Sequence, residues 1–568
     1  MTNQRIQRRW EIAEVDRAAS GELARSLRVP RIVAHILMRR GVSDIEGGRR
    51  FLHPSIEHLS DPFSLTDMQP AVDRIQLAKE RQEHVRVFGD YDVDGVAGTA
   101  ILVQALQRFG ISQYSYAMPD RVTEGYGIKP DHVKQAQQEG VDLLITVDNG
   151  ISAFEAAGTA RDCGIDVIVT DHHSLGDRLP EACAVINPKR EPPSHPAADL
   201  CGAAVALKFA QALTGTMDGL DFAALGTVAD IVPLRGENRD LTAAGLDCIA
   251  RNPRLGLEQL AQVAGIRIEE LRADGIAFQL GPRINAGGRL GDGTTGLRLL
   301  LTDSPTEAAE AAKELDSANY ERRTIERQIL DEALAQVEDT LHPKQRSIVL
   351  GAREWHPGVV GIVASRVLSR YYRPVLLVAF DEDGVGRGSA RSIPELDIME
   401  VLEGCADHLD AYGGHRAAAG ITVLEQDFAA FRERFEAEAA RLLPDGELQP
   451  TLDIDGLISF SEIDGQMVRA LEQLRPFGHG NPSSILCTFG ATVLPNSWRA
   501  MRGGHLRVTL KEGPSLFTAV GFGMGDVLQD LPNWPTVDAA FNPRLNTWRG
   551  ETTVQLVLKD IRPAASGS

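Results

Sequence analysis

The strongest constraint on the fold is an alternation of short apolar segments with helical stretches that begins near residue 84. Four of these segments, residues 85–88, 114–117, 143–147 and 167–170, are rich in β-branched or aromatic residues. Strands that alternate with helices and are apolar on both faces are typical of βαβ units around a parallel sheet. Ligands of such sheets bind at the carboxyl ends of the strands. We therefore predict an α/β domain whose chemistry lies just after each strand.

The chain is long enough for several domains and is strongly acidic. At roughly 100–200 residues per domain, a chain of 568 residues predicts about three to five domains. The formal net charge of −20 argues against binding nucleic acid through bulk positive charge. A local basic groove or a metal site can still recruit phosphates, so the charge leaves the partner open.

No sign of export or membrane insertion is present in the sequence. Its first residues are charged and lack the apolar core of a signal peptide. The longest apolar runs fall far short of the roughly 20 residues that span a bilayer. The six cysteines form no C-x-x-C pair, so neither a zinc ribbon nor a thioredoxin-type site is supported. We expect a cytoplasmic protein with reduced cysteines and no membrane partner.

Changes of pattern divide the chain into five predicted segments. Asp303, Ser304 and Pro305 supply an N-cap and a proline at the first helical position, before apolar residues that recur among charges up to residue 340. This pattern predicts a long amphipathic helix, which we interpret as a strut between two α/β regions. The predicted boundaries are 1–50 for an N-terminal segment, 51–300 for a catalytic domain, 301–342 for the connecting helix, 343–446 for a second α/β domain and 447–568 for a small β domain.

The predicted β domain has the composition of a single-strand-binding barrel. Residues 481–568 contain eight Lys+Arg and six Asp+Glu, and they hold Trp498, Trp534 and Trp548. Basic residues interleaved with aromatic ones bind single strands by stacking bases and following the backbone. The alternative is that the tryptophans belong to the core and the arginines are merely solvated. If the barrel only binds, deleting residues from about 450 onward should weaken affinity and leave cutting intact.

An acidic cluster follows the first predicted strand. Asp90, Asp92 and Asp94 alternate along the sequence DYDVDG, and three carboxylates at this spacing repel one another unless cations neutralise them. The pattern also opens an EF-hand loop, but Ile101 stands where that loop has a bidentate Glu, and a strand precedes it instead of a helix. The motif therefore favours a divalent-metal site over a calcium loop or a solvated loop.

Three further motifs place polar residues at predicted strand ends. Asp148 and Asn149 follow residues 143–147, and Asp171-His172-His173 follows residues 167–170. Two adjacent imidazoles point in different directions, so one can ligate a metal while the other faces the substrate. The fourth motif places Asp230 among apolar residues at 225–233, which we also interpret as a strand end, and a buried carboxylate there needs a cation.

These strand ends should meet at one edge of the sheet and supply ligands for two divalent ions that share Asp148. The predicted ligands are Asp92, Asp94, Asp148, His172 and Asp230. Many carboxylates with few imidazoles suit Mn²⁺ or Mg²⁺ better than a structural zinc. Two such ions clamp the attacking and leaving oxygens of an in-line phosphoryl displacement. The predicted reaction is phosphoester hydrolysis.

These motifs resemble those of the DHH phosphoesterase family. The four catalytic motifs are DYDVDG at 90–95, VDNG at 147–150, DHH at 171–173 and VAD at 228–230. GGHRAAAG at 413–420 resembles the signature of the DHH-associated domain. PRINAGGRL at 282–290, WHPGVVG at 355–361 and GRGSARS at 386–392 resemble the branch of the family that degrades single-stranded DNA from a 5′ end.

The resemblance implies a fold and a set of roles. It implies a parallel-sheet catalytic domain, a long helix, a second α/β domain and a C-terminal barrel with an oligonucleotide-binding fold. It makes Asp92, Asp94, Asp148, His172 and Asp230 metal ligands. Asp90 joins this acidic cluster, and His173 contacts the scissile phosphate.

The resemblance also implies substrate-binding residues. Arg289, Ser389 and Arg391 would form a pocket for a 5′ phosphate, with Arg387 as a weaker candidate. Guanidinium groups beside a hydroxyl suit a dianionic phosphate, although the arginines could instead be surface residues paired with acids. The remaining substrate-binding candidates are Asn149, Gly414, His415, Arg121 and Tyr126. The glycines could let the backbone approach the substrate or could form a structural turn.

The implied function is a single-strand-specific 5′→3′ exonuclease that threads DNA between its two α/β domains and releases 5′-mononucleotides. The resemblance further implies work in recombination and mismatch repair beside a helicase and a single-strand-binding protein, and we expect a monomer. Two alternatives are a non-catalytic DNA-binding scaffold and a phosphatase of small nucleotides. The first predicts eroded acidic residues, which are intact here, and the second lacks a long C-terminal β domain.

Overall fold

The computed structural model describes residues 6–119, 124–290, 292–342, 344–446, 448–548 and 550–564. The chain divides into two compact units. The larger unit combines Ile12–Ala318 with Asp453–Ser568, and the smaller unit combines Met1–Glu11 with Asn319–Leu452. The predicted N-terminal segment, catalytic domain and β domain therefore lie mainly in one unit.

The N-terminal segment contains one strand and three helices: β1 (Arg9–Ile12), α1 (Arg17–Leu27), α2 (Arg31–Arg39) and α3 (Ile45–Leu52). Asp16 and Asp44 cap α1 and α3 by accepting hydrogen bonds from backbone N–H groups of the first turn. The apolar side chains of Val33, Ile36 and Leu37 on α2 are buried in the core of the C-terminal β domain. These helices are thus part of that domain's packing.

The catalytic domain is built on a five-stranded parallel sheet. Its elements are α4 (Met68–Arg81), β2 (His84–Phe88), α5 (Val93–Phe109), β3 (Gln113–Ala117), α6 (Pro130–Gln138), β4 (Leu143–Val147), α7 (Phe154–Cys163), β5 (Asp166–Thr170) and β6 (Ala184–Ile186). The strand order is β3-β2-β4-β5-β6. The central strand β4 is buried along its whole length, as a strand covered by helices on both faces should be. The four predicted strands are confirmed.

A helical region completes the catalytic domain. It comprises α8 (Gly202–Thr214), α9 (Leu220–Ala229), α10 (Gly236–Arg251), α11 (Leu255–Ala264), α12 (Ala273–Gly275), α13 (Gly281–Leu290) and α14 (Thr294–Leu301). The prediction of a strand before Asp230 is wrong, because residues 220–229 form the helix α9. Buried residues occupy almost every position of α9, so no polar face marks it as a helix in the sequence.

The predicted long helix is α15 (Pro305–Thr340), which is confirmed. Ser304 caps it, since the N–H of Glu307 donates to Ser304 Oγ at 3.4 Å. Its first half contributes Ala311, Ala312 and Leu315 to the core of the catalytic domain. Its second half contributes Ile329, Ala333 and Val337 to the core of the smaller unit. The helix therefore carries the chain from one unit into the other.

The smaller unit contains a mixed five-stranded sheet. Its elements are β7 (Ile348–Ala352), α16 (Pro357–Tyr371), β8 (Val375–Phe380), β9 (Val385–Arg391), α17 (Ile398–Glu403), β10 (Ala411–His415), β11 (Ala418–Leu424), α18 (Phe428–Leu442) and β12 (Thr451–Ile454). The strand order is β10-β11-β9-β8-β7, with β7 and β8 parallel and the other pairs antiparallel. α16 covers one face, and α17 and α18 cover the other. The predicted second α/β domain is confirmed.

The C-terminal domain is a seven-stranded β structure. Its elements are β13 (Gly456–Leu457), α19 (Gly465–Glu472), β14 (Leu486–Val493), β15 (Arg499–Met501), β16 (His505–Glu512), β17 (Ser515–Gly521), β18 (Thr536–Trp548) and β19 (Glu551–Pro563). β14 pairs with both β18 and β16, which curls the sheet around the aromatic core. Trp498 and Trp534 pack against that core, whereas Trp548 is 71% exposed. Two of the three predicted stacking residues thus occupy core positions.

Among the described residues, no helix combines the length and the apolar character needed to cross a membrane.

Candidate active site

The acidic cluster after β2 is shaped by two helix N-termini. Asp92 is the N-cap of α5, and its Oδ1 accepts hydrogen bonds from the N–H groups of Asp94 at 2.9 Å and Gly95 at 3.1 Å. The buried carboxylate of Asp94 accepts hydrogen bonds from Gly202 N at 2.6 Å and Ala203 N at 2.9 Å, at the start of α8. Backbone N–H groups at a helix N-terminus favour negative charge. The fold therefore stabilises two adjacent carboxylates.

Two glycines give these carboxylates room. A Cβ atom on Gly202 would lie 2.7 Å from the Asp148 Cβ, and one on Gly226 would lie 2.3 Å from Asp94 Oδ1. Neither distance is tolerable, so only glycine fits at either position. Sequence reasoning missed both residues because they stand inside helices, where a glycine carries no local signal of its role.

Asp148 follows the buried strand β4 and adopts a left-handed backbone conformation with φ of 61°. It is almost fully buried. Asn149 lies beneath it and has no exposed surface, and its amide donates to the carbonyl oxygens of Val147 at 2.8 Å and Phe88 at 3.3 Å. The amide nitrogen of Asn149 is therefore held by the backbone, and the role of this residue in substrate binding stays a prediction.

The histidine pair is organised by Asp171, a residue absent from the predicted site. Asp171 Oδ1 accepts from the N–H groups of His172 and His173 and lies 2.7 Å from His173 Nδ1, while its Oδ2 accepts from Ile151 N. This arrangement leaves the ring of His172 turned toward the acidic cluster, where its Nε2 lies 3.0 Å from Asp148 Oδ1. The two imidazoles therefore differ in orientation, as the sequence predicted.

Asp230 reaches the same cluster from the end of α9. Its Oδ2 lies 3.6 Å from His172 Nε2, and Asp94 Oδ2 lies 3.8 Å from the same nitrogen. The next residue, Ile231, is a β-branched residue in the left-handed region with φ of 61°, a conformation that costs about 1–3 kcal/mol. The turn that presents Asp230 is therefore strained and must be held by its surroundings.

Three overlapping groups of side chains could each hold a metal ion, with ligand atoms within 4.8 Å of one another. The groups are Asp90, Asp92 and Asp148; Asp94, His172 and Asp230; and Asp148, His172 and His173. Asp148 and His172 each belong to two groups. The structure thus brings together all six predicted ligands, with Asp148 in the central position that the sequence assigned to it.

The electrostatics of this cluster fit a bound cation. Burial and the charges of Asp94 and Asp92 raise the pKa of Asp148, and burial with Asp94 raises the pKa of Asp230 to about 8. Burial lowers the pKa of His172, which keeps its ring neutral and able to ligate. Asp148 Oδ1 and His172 Nε2 are buried and make no hydrogen bond. A divalent cation would satisfy both atoms and replace the protons of the carboxylic acids.

His173 has a different electrostatic setting. Burial would lower its pKa, but the hydrogen bond to Asp171 and the nearby carboxylates outweigh burial and raise the pKa to about 8. The Tyr126 hydroxyl donates to the Asp148 carbonyl oxygen at 2.8 Å and lies 3.1 Å from His173 Nδ1. Tyr126 therefore borders the active site with its ring half exposed. Arg121, predicted beside it, lies outside the described residues.

The predicted phosphate-binding residues of the smaller unit share one face of β9. Arg387, Ser389 and Arg391 alternate with residues that face the opposite core, and Arg391 Nη1 donates to Ser389 Oγ at 2.7 Å. A Cβ atom on Gly361 of α16 would lie 2.8 Å from Ser389 Oγ and 2.9 Å from Arg391 Nη2. The first turns of α16 therefore pack directly beside this hydroxyl and guanidinium group.

Beside Ser389, Gly420 and Gly413 form a part of the sheet surface without side chains, which we call the glycine floor. Gly420 is paired with both Ser389 and Gly413, and a Cβ atom on either glycine would meet nothing within 4 Å. Gly414 differs, because its Cβ would lie 2.4 Å from the Ala418 carbonyl oxygen, so its glycine is required by strand packing. His415 is exposed at the end of β10. Arg289 ends α13 in the larger unit, and its place in one pocket with Ser389 and Arg391 stays a prediction.

Three family descriptions match successive parts of the chain. Residues 84–230 match the DHH family, N-terminal domain; residues 344–441 match the DHHA1 domain; and residues 454–560 match the RecJ OB domain. These ranges agree with the catalytic sheet, the smaller unit and the C-terminal β domain described above.

Similar proteins share this architecture over most of their length. The chain is 36% identical to the single-stranded-DNA-specific exonuclease RecJ of Bacillus subtilis, covering 97% of this chain and 70% of that protein. It is 34% identical to RecJ of Escherichia coli, covering 94% of this chain and 96% of that protein. A crystal structure of RecJ in complex with Mn²⁺ from Thermus thermophilus superposes with a TM-score of 0.85 at 33% identity, covering 98% of this chain and 80% of that one. The chain belongs to the RecJ family of single-stranded-DNA-specific exonucleases, hydrolases of the DHH phosphoesterase type.

Proposed function

We propose that this chain is a metal-dependent exonuclease that hydrolyses single-stranded DNA from its 5′ end and releases 5′-mononucleotides. The observation that carries the proposal is the convergence of five carboxylates and two imidazoles in three overlapping ligand groups that share Asp148 and His172. A cluster of this composition is suited to phosphodiester hydrolysis and has no evident structural purpose.

We infer that Asp90, Asp92, Asp94, Asp148, His172 and Asp230 hold two Mn²⁺ or Mg²⁺ ions. Structures of RecJ from Thermus thermophilus were solved with each of these metals. Bound there, such ions would neutralise the carboxylates and supply a nucleophilic hydroxide near neutral pH. The protein's own contribution is to hold the ligands at fixed positions through the N-termini of α5 and α8.

His173 is the residue best placed to bind the scissile phosphate. Asp171 fixes its Nδ1 at 2.7 Å, which leaves Nε2 as a donor, and its raised pKa keeps the ring charged at neutral pH. A charged donor to a phosphate oxygen is stronger than a neutral one, and it would neutralise charge that grows in the transition state. Tyr126 borders the ring and limits its movement.

The 5′ polarity would come from the β9 face of the smaller unit. Arg391 and Ser389 lie beside the N-terminal turns of α16, and the glycine floor leaves room for a phosphate near them. We expect a strand with a 5′ phosphate to be cut about tenfold to a hundredfold faster than one with a 5′ hydroxyl. Arg391→Ala should remove most of that preference, whereas Arg441→Ala, an exposed arginine of α18, should keep it.

The remaining functional predictions concern the setting of the reaction. We infer that the enzyme acts in recombination and mismatch repair, in the cytoplasm and as a monomer. Single strands are supplied by a helicase and covered by a single-strand-binding protein, so both are expected partners. Light scattering of the purified protein tests the monomer, and co-purification with each partner tests the contacts.

A single assay separates this function from the two alternatives. Long single strands labelled at either end, a dinucleotide and a duplex are incubated with Mn²⁺ or with EDTA. The proposal predicts Mn²⁺-dependent release of mononucleotides from the 5′ end of the long strand. Binding without cleavage would indicate a scaffold, and preference for the dinucleotide would indicate a small-substrate phosphatase.

A further inference from the structure

The sequence motif PRINAGGRL at residues 282–290 forms most of α13, and this helix lies against the loop that carries the acidic cluster. That loop, residues 89–92, joins β2 to α5, and we call it the β2–α5 loop. Ile284 of α13 and Val96 of α5 are buried in the same core of the catalytic domain. The two helices therefore belong to one packed body, and the contacts of α13 with the loop are fixed by it.

Asn285 of α13 supplies a second cap for α5. Its Oδ1 accepts a hydrogen bond at 3.0 Å from the N–H of Val93, the first residue of α5. Asp92, the N-cap, accepts from the next two N–H groups, those of Asp94 and Gly95. The first four N–H groups of a helix have no partner within the helix itself. Asn285 therefore completes a cap that Asp92 leaves unfinished.

Gly288 brings the backbone of α13 against the same loop. A Cβ atom at Gly288 would lie 2.8 Å from the Tyr91 carbonyl oxygen and 3.0 Å from the Tyr91 Cβ. A Cβ atom at Gly95 of α5 would lie 2.5 Å from the Asp90 carbonyl oxygen. A larger residue at either position would displace the loop, because the atoms that it would meet are backbone atoms. The backbone of the β2–α5 loop is thus in direct contact with both helices.

These contacts bear on the predicted metal ligands because each contact lies next to one of them in the chain. Asn285 binds the residue that follows Asp92, and Gly288 touches the residue between Asp90 and Asp92. Groups that bind a metal must be held within about 0.5 Å of their productive positions by the residues around them. A shift of the β2–α5 loop would therefore move two of the predicted ligands together.

We propose that Asn285 is a positioning residue for the metal centre, because it fixes the N-terminus of α5 and with it the carboxylate of Asp92. Gly288 supports the same loop by its close approach. Both residues act on the backbone of the loop. This inference rests on the proposed function and adds to it residues outside the ligand set on which metal binding depends.

The test uses the full-length protein, with Mn²⁺ affinity measured by calorimetry and hydrogen exchange measured in EDTA. Asn285→Leu keeps the size of the side chain and removes the acceptor. It should weaken Mn²⁺ binding by about tenfold to a hundredfold, as loss of a residue that supports a ligand does. The peptide that covers residues 91–96 should also exchange faster, because the Val93 N–H loses its acceptor. Asn285→Asp should restore most of the affinity and the slow exchange, since aspartate and asparagine cap helices equally well.

Two matched controls separate positioning from loss of stability. Asn542→Leu makes the same substitution at a buried residue of the C-terminal domain, whose Nδ2 donates to the Ser484 carbonyl oxygen at 2.8 Å. It should keep the wild-type Mn²⁺ affinity even where the Tm falls. Gly288→Ala should weaken Mn²⁺ binding, whereas Gly158→Ala on α7, where a Cβ atom meets nothing within 4 Å, should not. If Asn285→Leu does not fold, Asn285→Ala and Gly288→Ala carry the same expectation.

Several results would overturn the inference. One is a lower Tm of Asn285→Leu with unchanged Mn²⁺ affinity, the result expected of a residue that only stabilises the fold. A second is an equal loss of Mn²⁺ affinity in Asn285→Leu and Asn285→Asp, which would show that the acceptor is irrelevant. A third is a raised KM for the strand at unchanged Mn²⁺ affinity, which would place Asn285 against the substrate.

Failure of this inference is distinguishable from failure of the proposed function. If wild-type protein with Mn²⁺ cuts no strand, the proposed function fails whatever the variants show. If wild type cuts, and Asn285→Leu and Gly288→Ala bind Mn²⁺ and cut as wild type does, the function stands and other contacts hold the β2–α5 loop.

Discussion

Arg239 offers the sharpest test of how the active site is held in place. The residue is only 2% exposed, and its guanidinium group donates to five carbonyl oxygens. Four of these carbonyls belong to residues 473–476 at the end of α19, and the fifth belongs to Phe51, whose ring lies 3.9 Å from the guanidinium. One side chain of the catalytic domain thus joins the N-terminal segment to the C-terminal domain.

The cost of removing Arg239 follows from these contacts. Three of the five are 3.0 Å or shorter, and hydrogen bonds to a charged group contribute about 1.5–3 kcal/mol each. Replacing the arginine with methionine also removes a buried cation, which recovers part of that sum. We expect Arg239→Met to lower stability by about 3–5 kcal/mol. The larger unit has about 420 residues, so its entropy of unfolding is near 0.9 kcal/mol/K. Dividing the lost stability by this entropy gives a Tm that is lower by about 3–6 °C.

The assay is differential scanning fluorimetry combined with hydrogen exchange of the peptides that cover residues 232–236 and 473–481. Arg251→Met is the matched control, because this arginine lies on the same helix with its side chain 79% exposed. Exchange should accelerate in both peptides of Arg239→Met and in neither peptide of the control. If the two variants melted within 1 °C of each other and exchanged alike, Arg239 would not hold the two domains together.

The other predictions concern the metal cluster and the C-terminal domain. Asp148→Asn should reduce cleavage at least about a hundredfold and should leave the Tm in EDTA unchanged or higher, because burial and neighbouring carboxylates already disfavour the ionised form of this carboxyl group; activity within tenfold of wild type would contradict a shared ligand. The pKa of Asp230 is raised to about 8, so protons compete with Mn²⁺ for the metal-free cluster below that pH. The Mn²⁺ affinity measured by calorimetry should therefore rise from pH 6 to 8 and then level off, and an affinity independent of pH would refute this. For the same reason the Tm in EDTA should fall between pH 5 and 8, since the folded state binds more protons than the unfolded state, and saturating Mn²⁺ should remove the trend. Trp548→Ala should weaken binding of long strands and leave the Tm unchanged, because this ring is exposed. Trp498→Ala should lower the Tm, because this ring packs against the core. The opposite result would mean that Trp498 binds DNA and that Trp548 stabilises the fold.

The sequence predicted the parallel sheet well because burial on both faces leaves a strong signal. The segments at 143–147 and 167–170 agree with β4 and β5 to within one residue. The carboxyl ends of parallel strands meet at one edge, so the positions of Asp92, Asp148 and His172 follow from the topology. Prediction of these three candidate ligands therefore needed only the order of the strands, whereas Asp230 comes from the end of the helix α9.

Prediction failed where the same local pattern fits two structures. Residues 222–229 carry a single polar side chain, that of Thr227, and this pattern is equally consistent with a buried strand and a buried helix; they form part of α9. The role of Gly202 was also beyond prediction, since it depends on the approach of Asp148 from a distant strand. Trp498 and Trp548 are each followed by an arginine, and only packing distinguishes the two tryptophans.

The C-terminal domain cannot be removed as a simple binding module, although its composition suggested that it could. Deleting residues from about 450 onward would uncover the apolar side chains of α2 and Phe51, which pack in its core. It would also leave Arg239 buried without four of its five acceptors and would free the strained turn after Asp230 from His479 and Gly480. A truncated protein that failed to cut would therefore show nothing about DNA binding. A substitution at an exposed position such as Trp548 separates affinity from catalysis, because it leaves these shared contacts in place.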